Sequence, residues 1–134
     1  MTEREADGLP ALSEVQMEIM HAVWAGGEVT VTDVWTAVAA RRPVARNTVL
    51  TLMDRLVTKG WLTRRADGPA FRYAAAVSRA TALGGAVRRL VDSAFAGSAD
   101  ALVLALIEGR GVTDDEAHRI RQLIDAARKT GDKS

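Results

Sequence analysis

Apolar residues recur at helical spacing in the first strong segment of the chain. Val15, Ile19 and Val23, with Met20 and Trp24, share one face of a helix over about 14–25. Ser13 followed three residues later by Gln16 is a capping box, and Leu12 with Met17 forms a hydrophobic staple. Gly26-Gly27 ends this helix. Thr30-Val31-Thr32-Asp33 repeats the capping pattern, and Val31, Val34, Trp35 and Val38 give a second helix its inward stripe. Pro43 closes the link that follows, because a proline disfavours helix in the residue before it. A third helix begins near Ala45 or Arg46 and turns Val49, Leu52, Met53 and Leu56 inward. Gly60 supplies its left-handed C-terminal cap. Asn47, Leu50, Thr51 and Asp54 are left on the opposite face, flanked by Arg46 and Arg55.

The period then changes from helix to strand. Trp61-Leu62-Thr63-Arg64-Arg65 and Ala70-Phe71-Arg72-Tyr73-Ala74, around Asp67-Gly68-Pro69, predict a β-hairpin. Alternation sends Arg64 and Arg72 to a different face from Phe71 and Tyr73, which are assigned to packing. Three short helices followed by a hairpin is the order of a winged helix-turn-helix. The rest is helical. Ser78 caps a helix to about Phe95, with Leu83, Val87, Leu90, Val91 and Ala94 on one side. Leu102, Val103, Leu106 and Ile107 make a short, very apolar helix. Thr113 and Glu116 form a third capping box, and Ala117, Ile120, Ile124 and Ala127 continue the last helix. About 50 residues in three helices are too few to build an independent core, so these faces need the N-terminal domain or a second copy. The expected fold class is mainly α with a small β-hairpin wing. A winged helix-turn-helix domain over 1–77 precedes a three-helix segment over 78–129 and a frayed tail at 130–134.

Composition narrows the chemistry. The chain has 134 residues and no cysteine, which excludes disulfides, thiolate nucleophiles and Cys-based metal sites. His21 and His118 stand apart from other metal ligands. No Gly-rich phosphate loop, HExxH or Ser–His–Asp set is present. Neither an enzyme nor a cofactor is expected. With no run of 18 apolar residues and a polar start, the expectation is a soluble, cytoplasmic protein with no membrane insertion. Trp24, Trp35 and Trp61 fall on apolar stripes and are assigned to the core.

A net charge of +1 argues at first against a polyanionic partner, but the charge is unevenly spread. Residues 1–40 carry one base and seven acids, residues 41–73 eight bases and two acids, and residues 74–134 nine bases and eight acids. The positive block coincides with the third helix and the hairpin. That is where a DNA-binding surface of this fold would sit.

The order of elements and several stretches resemble the penicillinase-repressor family of BlaI, MecI and CopY type. The stretches are LSEVQMEIMHAVW at 12–24, NTVLTLMDRLVTKGWL at 47–62, FRYAAAVS at 71–78 and AGSADALVLALIE at 96–108. The resemblance implies that the segment over 78–129 is a dimerisation domain, and that the homodimer binds palindromic double-stranded DNA operators and represses resistance or stress-response genes. It also leaves a membrane sensor protease as a candidate partner. Copper-responsive members carry a C-terminal cysteine motif that is lacking here. Where staphylococcal-type members are cleaved at an Asn–Phe bond, the matching positions are Arg89 and Leu90.

On this reading the third helix enters the major groove and phosphate contacts fix its register. Asn47 suits adenine, Thr48 and Thr51 suit base edges or thymine methyls, and Leu50 offers apolar contact. Arg46 and Arg55 hold phosphates, Arg64, Arg65 and Arg72 extend the wing's contacts, and Arg41 and Arg42 reach the backbone from the preceding link. Leu90, Val91, Phe95, Leu102, Val103, Leu106 and Ile107 are expected in the dimer interface. Two alternatives stay open: a winged-helix regulator that binds a small ligand, and a winged-helix protein-interaction module that binds no DNA.

Overall fold

The computed structural model describes residues 9–132. The acidic positions at 1–8 and the last two of the expected 130–134 tail lie outside them. In chain order the elements are α1 (Glu14–Gly26), β1 (Glu28–Val29), α2 (Val31–Ala39), α3 (Arg46–Lys59), β2 (Leu62–Asp67) and β3 (Ala70–Ala75). Three further helices follow: α4 (Arg79–Ala94), α5 (Ala99–Gly109) and α6 (Asp114–Asp132). The chain divides into two compact units, one up to Arg88 and one from Arg89.

Local chemistry sets the helix boundaries of the first unit. The Ser13 amide donates to Gln16 Oε1 (2.9 Å) and the Gln16 amide to Ser13 Oγ (3.2 Å). Thr30 and Asp33 repeat the exchange at the start of α2. Each box satisfies two backbone donors that a helix start otherwise leaves unpaired. At the end of α3, Gly60 adopts φ 94°, ψ 6°, a left-handed geometry that costs other residues about 1–2 kcal/mol. The chain can therefore leave α3 directly into β2.

The sheet has one strand more than the sequence pattern predicts. β1 pairs antiparallel with β3, which pairs antiparallel with β2, giving the order β1-β3-β2. At two residues, β1 is too short to show alternation. The hairpin turns through Gly68, whose φ of 62° suits the first position of a two-residue loop.

Ile19, Met20 and Val23 of α1 meet Val34 and Val38 of α2, Val49, Met53 and Leu56 of α3, and Trp61, Leu62, Tyr73 and Val77 in one buried cluster. Leu52, expected inside, is only half-buried at its edge. The tryptophans combine apolar packing with tethering. Trp61 is buried, whereas Trp24 and Trp35 lie partly buried against the cluster. The indole N–H groups donate to backbone carbonyls outside their own elements: Trp24 to Val77 (2.9 Å), Trp35 to Val44 (2.9 Å) and Trp61 to Pro10 (3.0 Å). Each aromatic body is thus packed while its one polar atom stays satisfied.

The second unit behaves differently. None of the described side chains of α5 or α6 is buried. Thr113 and Glu116 close the capping box of α6, and α6 continues through Asp132. Among the described residues no single helix is long and apolar enough to cross a membrane.

Candidate nucleic-acid interface

α3 buries Val49, Met53 and Leu56, and helical geometry then dictates what remains outside. Asn47, Thr48, Thr51 and Arg55 are all exposed. The spacing of Asn47, Thr51 and Arg55 by four residues aligns them in one row. The Thr51 hydroxyl donates back to the Asn47 carbonyl (3.0 Å). Among the described residues, the side chains of Asn47, Thr48 and Arg55 have no partner. Leu50 departs from the expected exposed face: it is half-buried against the core, because it lies next to Val49 on the flank of the stripe.

Five contacts hold the start of this helix and the link before it in place. The Trp35 indole pins the α2–α3 link at Val44. Arg46 Nε donates to Thr32 Oγ1 (3.0 Å), tying the start of α3 to the start of α2. Arg42 pairs with Glu14 (3.1 Å) and Glu18 of α1, and Arg41 reaches Glu18 at 3.4 Å. No side chain caps the N-terminus of α3 at Ala45, so its first amides remain free for an acceptor from outside.

The sheet register separates the wing arginines. Residues opposite one another in an antiparallel pair share a face. Arg64 faces Tyr73, and Arg65 faces Arg72. Arg64 therefore lies on the same side as Tyr73 and Phe71, not on the side of Arg72, which corrects the alternation expected from the sequence. The register follows from the two-residue turn, which pairs Asp67 with Ala70. Tyr73 is buried as expected. Phe71 is 45% exposed and is covered by the Arg64 guanidinium, 4.5 Å from its ring centroid.

On the α3 side of the wing, Asp54 Oδ1 accepts from Arg64 Nη1 (3.1 Å) and from the Tyr73 hydroxyl (2.9 Å). Burial, reinforced by that hydrogen bond, raises the Tyr73 phenol above its ordinary value. On the other side, Arg65 pairs with Glu28 of β1 through two nitrogens. Arg72 Nε donates to Asp67 (2.7 Å). The Arg65 hydrogen bond holds the Glu28 carboxyl below its usual range, and Arg72 does the same for Asp67.

The structure thus brings Asn47, Thr48, Thr51 and Arg55 together, with Arg46 at one end and Arg64 beside Asp54 at the other. Arg65 and Arg72 form a separate patch, and Arg41 and Arg42 are held against α1. The acids that partner these arginines escaped the sequence reading. Asp54 alone left a signal, since seven residues after Asn47 it falls on the same helix face.

Three short helices packed around one core, the third presenting a polar row beside an arginine-bearing hairpin, define a winged helix-turn-helix protein. The profile of the penicillinase repressor family matches residues 12–126. The chain belongs to the penicillinase repressor family. Transcriptional regulator BlaI of Mycobacterium tuberculosis is 31% identical over 118 residues, covering 87% of this chain and 84% of that protein. Methicillin resistance regulatory protein MecI of Mammaliicoccus sciuri is 22% identical over 113 residues, covering 84% of this chain and 92% of its own length. Among solved structures, the DNA-binding domain of the repressor BlaI superposes with a TM-score of 0.50 at 20% identity. That match covers 60% of this chain and 93% of the domain.

Proposed function

We propose that the chain is a sequence-specific DNA-binding transcriptional repressor that acts as a homodimer on palindromic operators. The observation that carries this reading is the exposed row Asn47, Thr48, Thr51 and Arg55 on α3, in which Thr51 bonds back to its own helix and the other three side chains have no partner among the described residues. Asn47 offers the bidentate amide that suits adenine. Thr48 and Thr51 present a hydroxyl and a methyl group at base-edge height, and Leu50 adds apolar contact at the edge. Arg46, Arg55 and Arg64 are assigned to phosphates. Arg41, Arg42, Arg65 and Arg72 join them only by exchanging their carboxylate partners for DNA. Membership in a family whose relatives are named as repressors and resistance regulators supports the regulatory role, and resistance or stress genes are the proposed targets.

The dimer rests on the second unit, where α5 and α6 leave Val103, Leu104, Leu106, Ile107, Ile120, Leu123 and Ile124 exposed. Large apolar side chains exposed in this number favour association, and a second copy supplies the complementary face by symmetry. Leu90 is likewise exposed, whereas Val91, Phe95 and Leu102 are half-buried. The proposed organisation is a DNA-binding domain over 1–77 and a dimerisation domain over 78–129.

A gel shift on the promoter of the chain's own gene tests the reading, followed by footprinting of any shifted fragment. The expected result is a protected site with two related half-sites. Absence of any shift at low salt overturns it.

A further inference from the structure

Asp54 is an anomaly on the proposed DNA-facing surface. It lies two turns after Asn47 on the same face of α3, about 10.5 Å along the axis, and its side chain is 44% exposed. A carboxylate there repels phosphate. Its contacts supply a reason for its presence: one oxygen, Oδ1, receives both the buried Tyr73 hydroxyl and the Arg64 guanidinium. Tyr73 sits on β3, Arg64 on β2 and Asp54 on α3, so a single atom joins the recognition helix to both strands of the wing. The same guanidinium lies over the Phe71 ring. Arg64 is thereby held by both a carboxylate and an aromatic face. Arg65 and Arg72, by contrast, point to the other side of the sheet toward Glu28 and Asp67.

We propose that Asp54 is a positioning residue that aims Arg64 at the DNA backbone beside the recognition helix and keeps the wing in register with α3. The inference deepens the DNA-binding reading and rests on it. A guanidinium already oriented loses less rotamer freedom on meeting a phosphate. It then contributes only where the helix is correctly seated, so Asp54 raises specific binding over non-specific binding despite its charge.

The test uses the full chain with two duplexes: the footprinted site upstream of its own gene and a scrambled duplex of equal composition. Asp54→Asn should lower the ratio of the two affinities about tenfold. Affinity for the scrambled duplex should hold or rise, because a negative charge has been removed. Asp54→Glu should restore part of the ratio. Arg64→Gln, an exposed change, should reproduce the loss, and adding Asp54→Asn to it should cost nothing more, as a shared pathway requires. Equal tightening on both duplexes by Asp54→Asn overturns the assignment. So does an unchanged ratio in Arg64→Gln, or a full further loss in the double variant. A wild-type chain that fails to distinguish the duplexes overturns the DNA-binding reading and this inference with it. A wild-type chain that distinguishes them beside an indifferent Asp54→Asn overturns this inference alone.

Discussion

Leu106→Asp probes the proposed dimer most directly, since Leu106 lies in α5, far in sequence from every proposed DNA contact. Leu106 is 39% exposed. Burying a whole leucine is worth about 1.5–3 kcal/mol, so the exposed part holds about 1 kcal/mol for association. An aspartate forfeits that amount and adds the desolvation of a carboxylate, which raises the cost to about 2–4 kcal/mol per copy. A symmetric interface carries the change twice. The sum of about 4–8 kcal/mol corresponds to roughly three to six decades in the dimer dissociation constant. Leu106→Ala keeps helix propensity and loses only the apolar part, about 2 kcal/mol for two copies or roughly thirtyfold. Sedimentation equilibrium across nanomolar to micromolar protein reads both variants, with circular dichroism confirming that α5 persists. Operator affinity should fall in the same order, because the second half-site loses its effective concentration. A wild-type chain that sediments as a monomer at micromolar concentration refutes the reasoning. So does a Leu106→Asp dimer as tight as the wild type.

Other expectations concern the first unit. A Cβ at Gly26 would lie 2.4 Å from Val29 Cγ1, and the stiff, buried valine cannot rotate away. Gly26→Ala should therefore destabilise by about 1–3 kcal/mol in urea unfolding, and an unchanged midpoint would count against the packing described. Trp24→Phe deletes the donor to the Val77 carbonyl and should cost about 1–3 kcal/mol in the same assay. Tyr73 is the single tyrosine of the chain, so ultraviolet phenolate absorbance reports on it alone. Its midpoint should lie above the ordinary tyrosine value in the native protein, return to that value in denaturant, and fall in Asp54→Asn. Because folding raises this group, its contribution to stability is complete below the unfolded value. It is lost as pH rises through the folded one. Glu28 and Asp67 run the opposite way. Their contribution holds above the usual carboxylate range and is lost as pH falls through the lowered values. Glu28→Gln with Asp67→Asn should therefore flatten the acid limb of thermal stability.

The helices were legible because their signals are local. The Ser13–Gln16 and Thr30–Asp33 boxes, the stripes of α1 and α2, and the Gly60 cap each fit within a few residues. The recognition face followed by subtracting the buried stripe, with Leu50 misplaced by its position on the flank. What escaped depends on distance. β1 exists only because β3 comes to lie beside it. The face of Arg64 is set by the hairpin register, and a slip of one residue in such a count inverts every side chain. Glu28 finds Arg65 across 37 positions, a pairing that no periodicity encodes.

The carboxylates standing on the arginines of the positive block have a thermodynamic consequence. Association with DNA draws much of its strength from expelling the cations condensed along the phosphates, and that gain is eroded by added salt. When Arg41, Arg42, Arg65 or Arg72 meets a phosphate, it must first abandon an acid of its own chain. That acid then recruits a cation from solution, returning part of what the duplex released. The affinity should consequently decline with ionic strength less steeply than the number of arginines implies. The protein should also linger less on random sequence, leaving discrimination to the short row of base-reading side chains.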